Sequence, residues 1–482
     1  MRLLAALALA VVCAAAQAQL KVGSKRFTES YILGEILART AHAEHKPGLG
    51  NTGIVFAALK AGAIDLYPEY TGTIAREILR LRGSPSLEEL NRALAPHGLA
   101  AGMPLGFNNG YALAVREDSA LRTLSDLARR PDLKLGLSQE FMARTDGWPG
   151  LKAAYGFAQQ PTGLDHGLAY EALAAGKIDA MDIYTTDAKI ERFRLRVLDD
   201  DRRYFPRYDA VLLYRLDAPA RFAKEFSSLR SLEGKIDEKT MIRMNAVAEL
   251  EGKSFAQAAA LFFGDDSGKR NSFLELLFGA DFWRLTREHL LLVFVSLAAS
   301  VLVGVPLGIV AAKLPRAAQP VLAAVGVIQT IPSLALLAFL IALVGTIGVL
   351  PALVALFLYA LLPIVRNTHS GIANNARGPL QAGKALGLRT GQILLQVELP
   401  LAAPSILAGI KTSAVINVGT ATIAAFIGAG GYGERIAAGL ALNDNAMLLA
   451  GAIPAAALAL IVQSMFEVIE RRLAWTAWTT KA

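Results

Sequence analysis

Two hydrophobic patterns divide the chain. From residue 19 to about 285, apolar and charged positions alternate in short segments. From 290 to 466, apolar residues run in long stretches with almost no charge. The first pattern suits a water-soluble domain and the second suits membrane-spanning helices. In the first part a short strand around Leu20–Gly23 leads into a polar loop. A helix follows with Ile32, Leu33, Ile36 and Leu37 on one face. Strand and helix signals alternate to about residue 215, which predicts an α/β domain with sites at the carboxyl ends of its strands. Residues 216–285 read as helical.

The soluble part contains an internal echo. Residues 56–71 align without gaps to residues 170–185, and eight positions match, from Ala58/Ala172 through Gly62/Gly176 and Asp65/Asp179 to Tyr70/Tyr184 and Thr71/Thr185. Each copy reads as a helix, a glycine cap, a short strand and a loop bearing Tyr-Thr. A common helix–glycine–strand connector explains the Gly and Asp, but not the Tyr-Thr at one offset. Two equivalent units predict two similar lobes, with those loops facing the cleft between them.

The apolar part predicts five spans: Leu290–Ala312, Val321–Val344, Ile347–Val365, about Ser405–Gly428, and Ala446–Phe466. Small residues such as Gly419, Ala421 and Gly428 suit close helix packing. Pro332 and Pro351 are expected to break or kink apolar segments. Basic residues sort to one side. Lys313 and Arg316, then Arg366, Arg377, Lys384 and Arg389, then Arg471, Arg472 and Lys481 fall in alternate connections, whereas the others hold only Arg435. The positive-inside rule therefore places residues 19–285 outside the cell membrane.

Residues 1–18 resemble a secretory leader: Arg2, an apolar core from Leu3 to Val12, and Ala16-Gln17-Ala18 before the cut. A lipid anchor on Cys13 is the rival reading, and Val12 suits it poorly. Cys13 is the sole cysteine, so thiol chemistry and Cys-based metal sites are excluded beyond the leader. The net charge of +8 lies largely in loops beside the spans, not on a basic face with interleaved aromatics, so no nucleic-acid partner is expected. The six histidines are scattered, and no metal-ligand spacing or nucleophile–base pattern stands out.

Ten of the twelve tyrosines lie between Tyr31 and Tyr214. A trimethylammonium group has no N–H to donate, so its site needs electron-rich ring faces in a desolvated pocket. Four ring contacts at roughly 1–2 kcal/mol each approach the ~8 kcal/mol of micromolar binding. Several ordered motifs carry a resemblance here: Gly23-Ser24-Lys25 with Phe27-Thr28-Glu29, Asp65 through Thr73, Asn108 through Val115, Arg144-Thr145-Asp146-Gly147, Tyr184-Thr185-Thr186-Asp187, and Phe205 through Asp209. Residues 20–270 resemble the solute-binding proteins of glycine betaine/choline/carnitine ABC importers. The resemblance implies a tyrosine cage at Tyr70, Tyr111, Tyr184 and Tyr208, with Tyr204 and Tyr214 as near alternatives to the last. It also implies a ligand-carboxylate side at Lys25, Thr73 and Arg144, with Asn109 beside the cage. Arg144 suits a carboxylate best, through its bidentate fork. These polar candidates lean the ligand toward betaines.

Residues 288–470 resemble the permeases of the same importers. Thr330 through Leu337 and Leu350 through Leu353 match them. Gln381-Ala382-Gly383 with Gly387, then Leu399-Pro400, resembles their coupling loop, a short helix that docks on a cytoplasmic ATPase. Gly387 permits a turn and Pro400 is expected to end the segment. Gln381 and Gly383 depart from the common Glu-Ala-Ala start.

The reading is therefore a leader (1–18), a two-lobed α/β type II periplasmic-binding-protein-like domain (19–275), a linker (276–289), an all-α transmembrane permease domain of about five helices (290–470) and a cytoplasmic tail (471–482). The binding domain's first lobe takes 19–108 and 209–275, and its second takes 109–208. No Gly-x4-Gly-Lys-Ser/Thr sequence occurs, so the chain needs no cofactor of its own, and ATP is expected on a separate ATPase subunit. Membrane lipid, a permease homodimer and a small quaternary-ammonium ligand complete the expected partners. The alternatives are an importer for another small cationic or zwitterionic solute such as an amino acid and, remotely, a ligand-gated channel. The coupling-loop pattern and the lack of a Thr-Val-Gly-Tyr-Gly filter argue against the channel. A cell-wall enzyme on a membrane anchor needs fewer spans.

Overall fold

The computed structural model describes residues 19–479 apart from 82, 267, 269–271, 376 and 443. The leader 1–18 with Cys13, and Lys481 in the tail, lie outside the described residues. The chain forms two compact units, the first made mainly of residues up to 270 and the second mainly of residues from 271 on.

The first unit holds two five-stranded sheets. Strands β1 (Lys21–Gly23), β2 (Glu44–Lys46), β3 (Leu66–Tyr70), β4 (Leu99–Gly102) and β10 (Ala210–Arg215) form one, ordered β2-β1-β3-β10-β4. Strands β5 (Tyr111–Arg116), β6 (Leu135–Ser138), β7 (Thr162–Leu164), β8 (Ala180–Tyr184) and β9 (Leu195–Val197) form the other, ordered β7-β6-β8-β5-β9. The two orders are equivalent. β3 lies between a parallel neighbour, β1, and an antiparallel one, β10. β8 lies in the same way between β6 and β5.

The sequence echo falls on these central strands. Helix α1 (Thr28–Ala41) follows β1, and helix α2 (Thr52–Lys60) precedes β3. Helix α3 (His166–Ala174) precedes β8. Asn51 and Asp165 cap α2 and α3 by accepting from backbone N–H groups of their first turns. Gly62 and Gly176, with φ of 72° and 66°, turn the chain from each helix toward its strand. Asp65 accepts from the Lys21 backbone N–H at 2.9 Å and Asp179 from that of Lys134 at 2.8 Å, so each clamps the start of the neighbouring parallel strand.

The chain crosses between the sheets twice, through 103–110 and 198–209. These crossings run side by side. Asn108 bridges Asp209, the Asn109 N–H donates to the Tyr208 carbonyl at 3.0 Å, and the Tyr208 N–H donates to Asn108 Oδ1 at 2.7 Å. Later helices return to pack on α1, among them α4 (Glu238–Glu249). This supplies the helical signal after residue 216.

The second unit is helical. Helix α5 (Phe282–Lys313) packs along α8 (Val349–Ala373), and α8 along α10 (Leu399–Thr420). Between them lie α6 (Pro315–Thr330), α7 (Ser333–Val344) and α9 (Arg377–Ala385), and α11 (Asn445–Thr479) comes last. Among the described residues, four helical stretches are long and apolar enough to cross a membrane: Phe282–Lys313, Val349–Ala373, Thr390–Ile427 and Asn445–Arg472. The second expected span is instead the pair α6 and α7, bent by 103°, and the total reaches five if that pair is one span. The bend follows from Pro332, which has no N–H to continue α6 and forces Ile331 into an extended conformation. The Ile331 carbonyl freed by the bend accepts from the Tyr359 hydroxyl of α8. Pro351, expected to break a segment, sits in the first turn of α8. The stretch 276–289, expected as a linker, is helical from Phe282.

Close helix packing uses other glycines than those expected. A Cβ on Gly308 would lie 2.5 Å from Thr368 Cβ, and one on Gly304 2.9 Å from Ile364. Gly371 and Gly409 play the same part where α8 meets α10. A Cβ on Gly419 would meet nothing within 4 Å, and Gly428 has a φ of 72° and ends a helical turn. Ala421 is buried as expected. Polar bonds tie the bundle: Asn417 Nδ2 donates to Ser296 Oγ at 3.0 Å, and Lys411 pairs with Glu470 at 2.8 Å.

Candidate functional site

β3 and β8 deliver Tyr70 and Tyr184 at their carboxyl ends, and Tyr111 opens β5 directly opposite Tyr184. Tyr208 comes from the second crossing. Its ring lies against Gly72, where a Cβ would stand 2.6 Å from the ring, so only glycine permits this approach. Phe27, from the loop before α1, completes the set. The five rings touch in a chain. Centroids of Tyr70 and Phe27 are 6.3 Å apart, Phe27 and Tyr184 5.6 Å, Tyr184 and Tyr111 5.1 Å, and Tyr111 and Tyr208 5.6 Å. Tyr70, Tyr111 and Tyr208 are buried. Tyr204 instead meets Phe205 edge to face, and Tyr214 meets Phe226 in the same way.

Charged groups surround the rings in pairs. Lys25 Nζ binds Glu69 Oε1 at 2.6 Å and lies 5.0 Å from the Tyr70 centroid and 5.4 Å from that of Phe27. Arg144 uses its Nε and Nη2 on Asp146 at 2.8 and 2.6 Å, with Thr73 Oγ1 3.4 Å from Nη2. Its guanidinium also lies 5.1 Å from the Tyr111 centroid. The fork expected to hold a ligand carboxylate thus already holds a protein carboxylate. Tyr208 donates to the same Asp146, Oδ2, at 2.8 Å.

Glu29 sits beneath the rings. Its oxygens accept from the Tyr70 hydroxyl (2.5 Å), Asn109 Nδ2 (2.9 Å), Thr186 Oγ1 (2.6 Å) and Asn245 Nδ2 (3.3 Å). Burial pushes the Glu29 carboxyl up against those four bonds. Burial also holds the Tyr70 phenol well above its ordinary value, with the neighbouring Glu29 charge adding to it. Beyond Tyr184, His166 contacts Asp187 at 3.0 Å and its ring lies 4.9 Å from the tyrosine's. Burial alone would lower His166, but the bond and charge of Asp187, then the charge of Asp182, raise it to about 9.

All eight sequence-chosen residues lie in or against this cluster. Sequence reasoning did not select Phe27, Glu29, Asp146, Thr186 or Asn245 as site residues. A crevice of about 420 Å³ opens beside Phe27 and Tyr184 and is lined from both sheets, by Lys25 and Asn51 on one side and Ser138, Glu140 and His166 on the other.

In the second unit, α9 carries Gln381, Ala382 and Gly383. The chain turns at Gly387, whose φ is 77°. A helical run from Thr390 continues through Glu398 into α10, so Leu399 and Pro400 open that helix rather than end the segment. Lys313, at the end of α5, pairs with Glu398, and Asn375 Nδ2 donates to the Glu398 carbonyl at 3.0 Å. Leu386 is left 80% exposed at the turn.

Two sheets meeting at an aromatic cluster, followed by a bundle of apolar helices, define a solute-binding module joined to a multi-pass membrane permease. Residues 18–264 match the family described as the substrate binding domain of the ABC-type glycine betaine transport system. Residues 304–475 match the binding-protein-dependent transport system inner membrane component. The chain belongs to the first of these families, fused here to the second, and its role is transport. The choline transport system permease protein OpuBB of Bacillus subtilis (strain 168) is 43% identical over 195 residues, which are 40% of this chain and 89% of that one. The glycine betaine/carnitine/choline transport system permease protein OpuCD of the same strain is 44% identical over 187 residues, 39% of this chain and 81% of that one. The ergothioneine transport permease/ergothioneine binding protein EgtU of Helicobacter pylori (strain G27) is 36% identical over 251 residues, 49% of this chain but 45% of that one.

Proposed function

We propose that the chain is the combined binding and translocating subunit of an ABC importer whose ligand carries a quaternary ammonium head. The observation that supports this most is the chain of five aromatic rings with buried carboxylates behind it. Such a surface offers a cation π-faces and negative potential without asking it for a proton. Glycine betaine, choline, carnitine and ergothioneine, the ligands named for the relatives, share that head.

Tyr70, Tyr111, Tyr184 and Tyr208 hold the cation in this reading. Lys25, Thr73, Arg144 and Asn109 shape the cage through its charge pairs and hydrogen bonds. The binding module lies outside the membrane, as the distribution of basic residues between the connections suggests. The segment from Gln381 to Pro400, with exposed Leu386 at its turn, docks on a separate cytoplasmic ATPase, and two copies of the chain build the path. Covalent joining holds the binding module near the permease at a local concentration on the order of millimolar.

Calorimetric titration of the purified full-length protein with the four quaternary amines and a set of amino acids tests the ligand class. Micromolar binding of at least one quaternary amine is expected, and binding of amino acids alone overturns the reading.

A further inference from the structure

The charges at the cage do not balance. Lys25 pairs with Glu69, and Arg144 with Asp146, with half-exposed Glu140 3.5 Å from Arg144 on its outer side. Glu29 is the carboxylate left over. It is 2% exposed, and among the described residues no Lys, Arg or His lies within ion-pair distance of it. Asn109 and Asn245 offer it amide N–H donors, and the Tyr70 and Thr186 hydroxyls stand where they can donate as well, so the four bonds favour the ionised form against its burial. A buried charge without a counter-ion is costly, and a cation arriving nearby relieves that cost.

The route from this charge to the cage is also present. The Tyr70 hydroxyl donates to Glu29 Oε1 at 2.5 Å, a charge-assisted bond that keeps the proton on the phenol but polarises the O–H and enriches the ring in electron density. That ring is one end of the aromatic chain. A richer ring binds a cation more strongly and leaves a neutral group of the same shape almost unaffected.

We infer that Glu29 is the positioning residue that sets the cage's preference for a permanent cation, by placing an unbalanced negative charge behind the Tyr70 ring. This rests on the quaternary-ammonium reading above and adds to it the group that discriminates charge from shape. Glu29 does not touch the ligand; it acts through Tyr70.

The test compares choline with 3,3-dimethyl-1-butanol, in which carbon replaces the charged nitrogen, by titration into the full-length protein, its Glu29→Gln variant and its Tyr70→Phe variant. Tyr70→Phe keeps the ring and removes only the hydroxyl that contacts Glu29. Both variants are expected to lose about tenfold in choline affinity, as a charge interaction at protein dielectric implies. Affinity for the neutral isostere should change less than about twofold, since it carries no charge to sense. An equal loss for both ligands, as a merely collapsed cage would give, overturns the inference. If thermal melting shows Glu29→Gln unfolded, Tyr70→Phe decides alone. A wild-type protein that binds both ligands equally also overturns it while leaving an aromatic cage in place. Binding of neither choline nor its isostere overturns this inference; the quaternary-ammonium reading falls only if the titration above finds none of the four quaternary amines bound.

Discussion

Tyr111 and Tyr184 stand directly opposite each other on neighbouring antiparallel strands, with ring centroids 5.1 Å apart at an angle of 49°. The pairing register of β5 and β8 sets this contact, so half of the proposed cage lies in one sheet by strand pairing alone.

Removing either ring should therefore weaken ligand binding more than folding. Tyr184→Ala is expected to lower quaternary-amine affinity roughly 5- to 30-fold, the value of about 1–2 kcal/mol for one desolvated cation–π contact. Calorimetry on the full-length variant measures this, and unchanged affinity removes Tyr184 from the site.

The buried pair of Arg144 and Asp146 is expected to be structural as well as functional. Asp146→Ala leaves the Arg144 cation buried with only half-exposed Glu140 beside it, which should cost about 3–5 kcal/mol. The Tyr208 hydroxyl loses its acceptor as well. A clear drop in the melting temperature of the binding module is the expected outcome, and an unchanged melt refutes it.

His166 makes stability depend on pH. Its folded value of about 9 lies above the ordinary value of 6.5. The stabilisation from charged His166 is therefore fully present below about pH 6.5 and is lost as pH rises toward about 9. Asp187 and Asp182 favour the charged ring, Lys189 opposes it, and Glu249 faces it from α4. The contribution is at most about 3 kcal/mol. Melting temperatures across pH 6 to 9.5 should fall in the wild-type protein, and His166→Gln should flatten that slope.

In the second unit, Lys313→Ala removes the cation paired with buried Glu398 and loosens the segment after α9 from the end of α5. ATP-driven uptake in reconstituted vesicles should fall several-fold while ligand affinity stays unchanged. Loss of binding as well refutes a coupling role for this contact.

The sequence displayed whatever local pattern or repetition encodes. The echo around Tyr70 and Tyr184 marked the same place in two sheets because both copies use one helix–glycine–strand construction. Phe27, Glu29 and Asp146 lay inside motifs already visible, but their roles depend on which side chains meet. The bidentate hold of Asp146 on Arg144 is such a meeting, and it reverses the simplest use of that arginine. Asn245 was not legible at all. It reaches Glu29 from α4, more than two hundred residues away, and nothing in its own helix distinguishes it from a core asparagine. In the apolar part, hydropathy located the long helices and Pro332 marked a break as expected, but the size of the 103° bend was not legible, since α6 and α7 are apolar on both sides of Pro332.

The two crossings between the sheets run as neighbours and are laced by Asn108, Asn109 and Tyr208. A single strand there would leave the lobes free to swivel like a ball in a socket. A laced pair behaves more like the spine of a book, which opens in one plane. Tyr208, an expected ligand contact, is itself part of that spine, so a ligand held by its ring would bear directly on the join between the lobes.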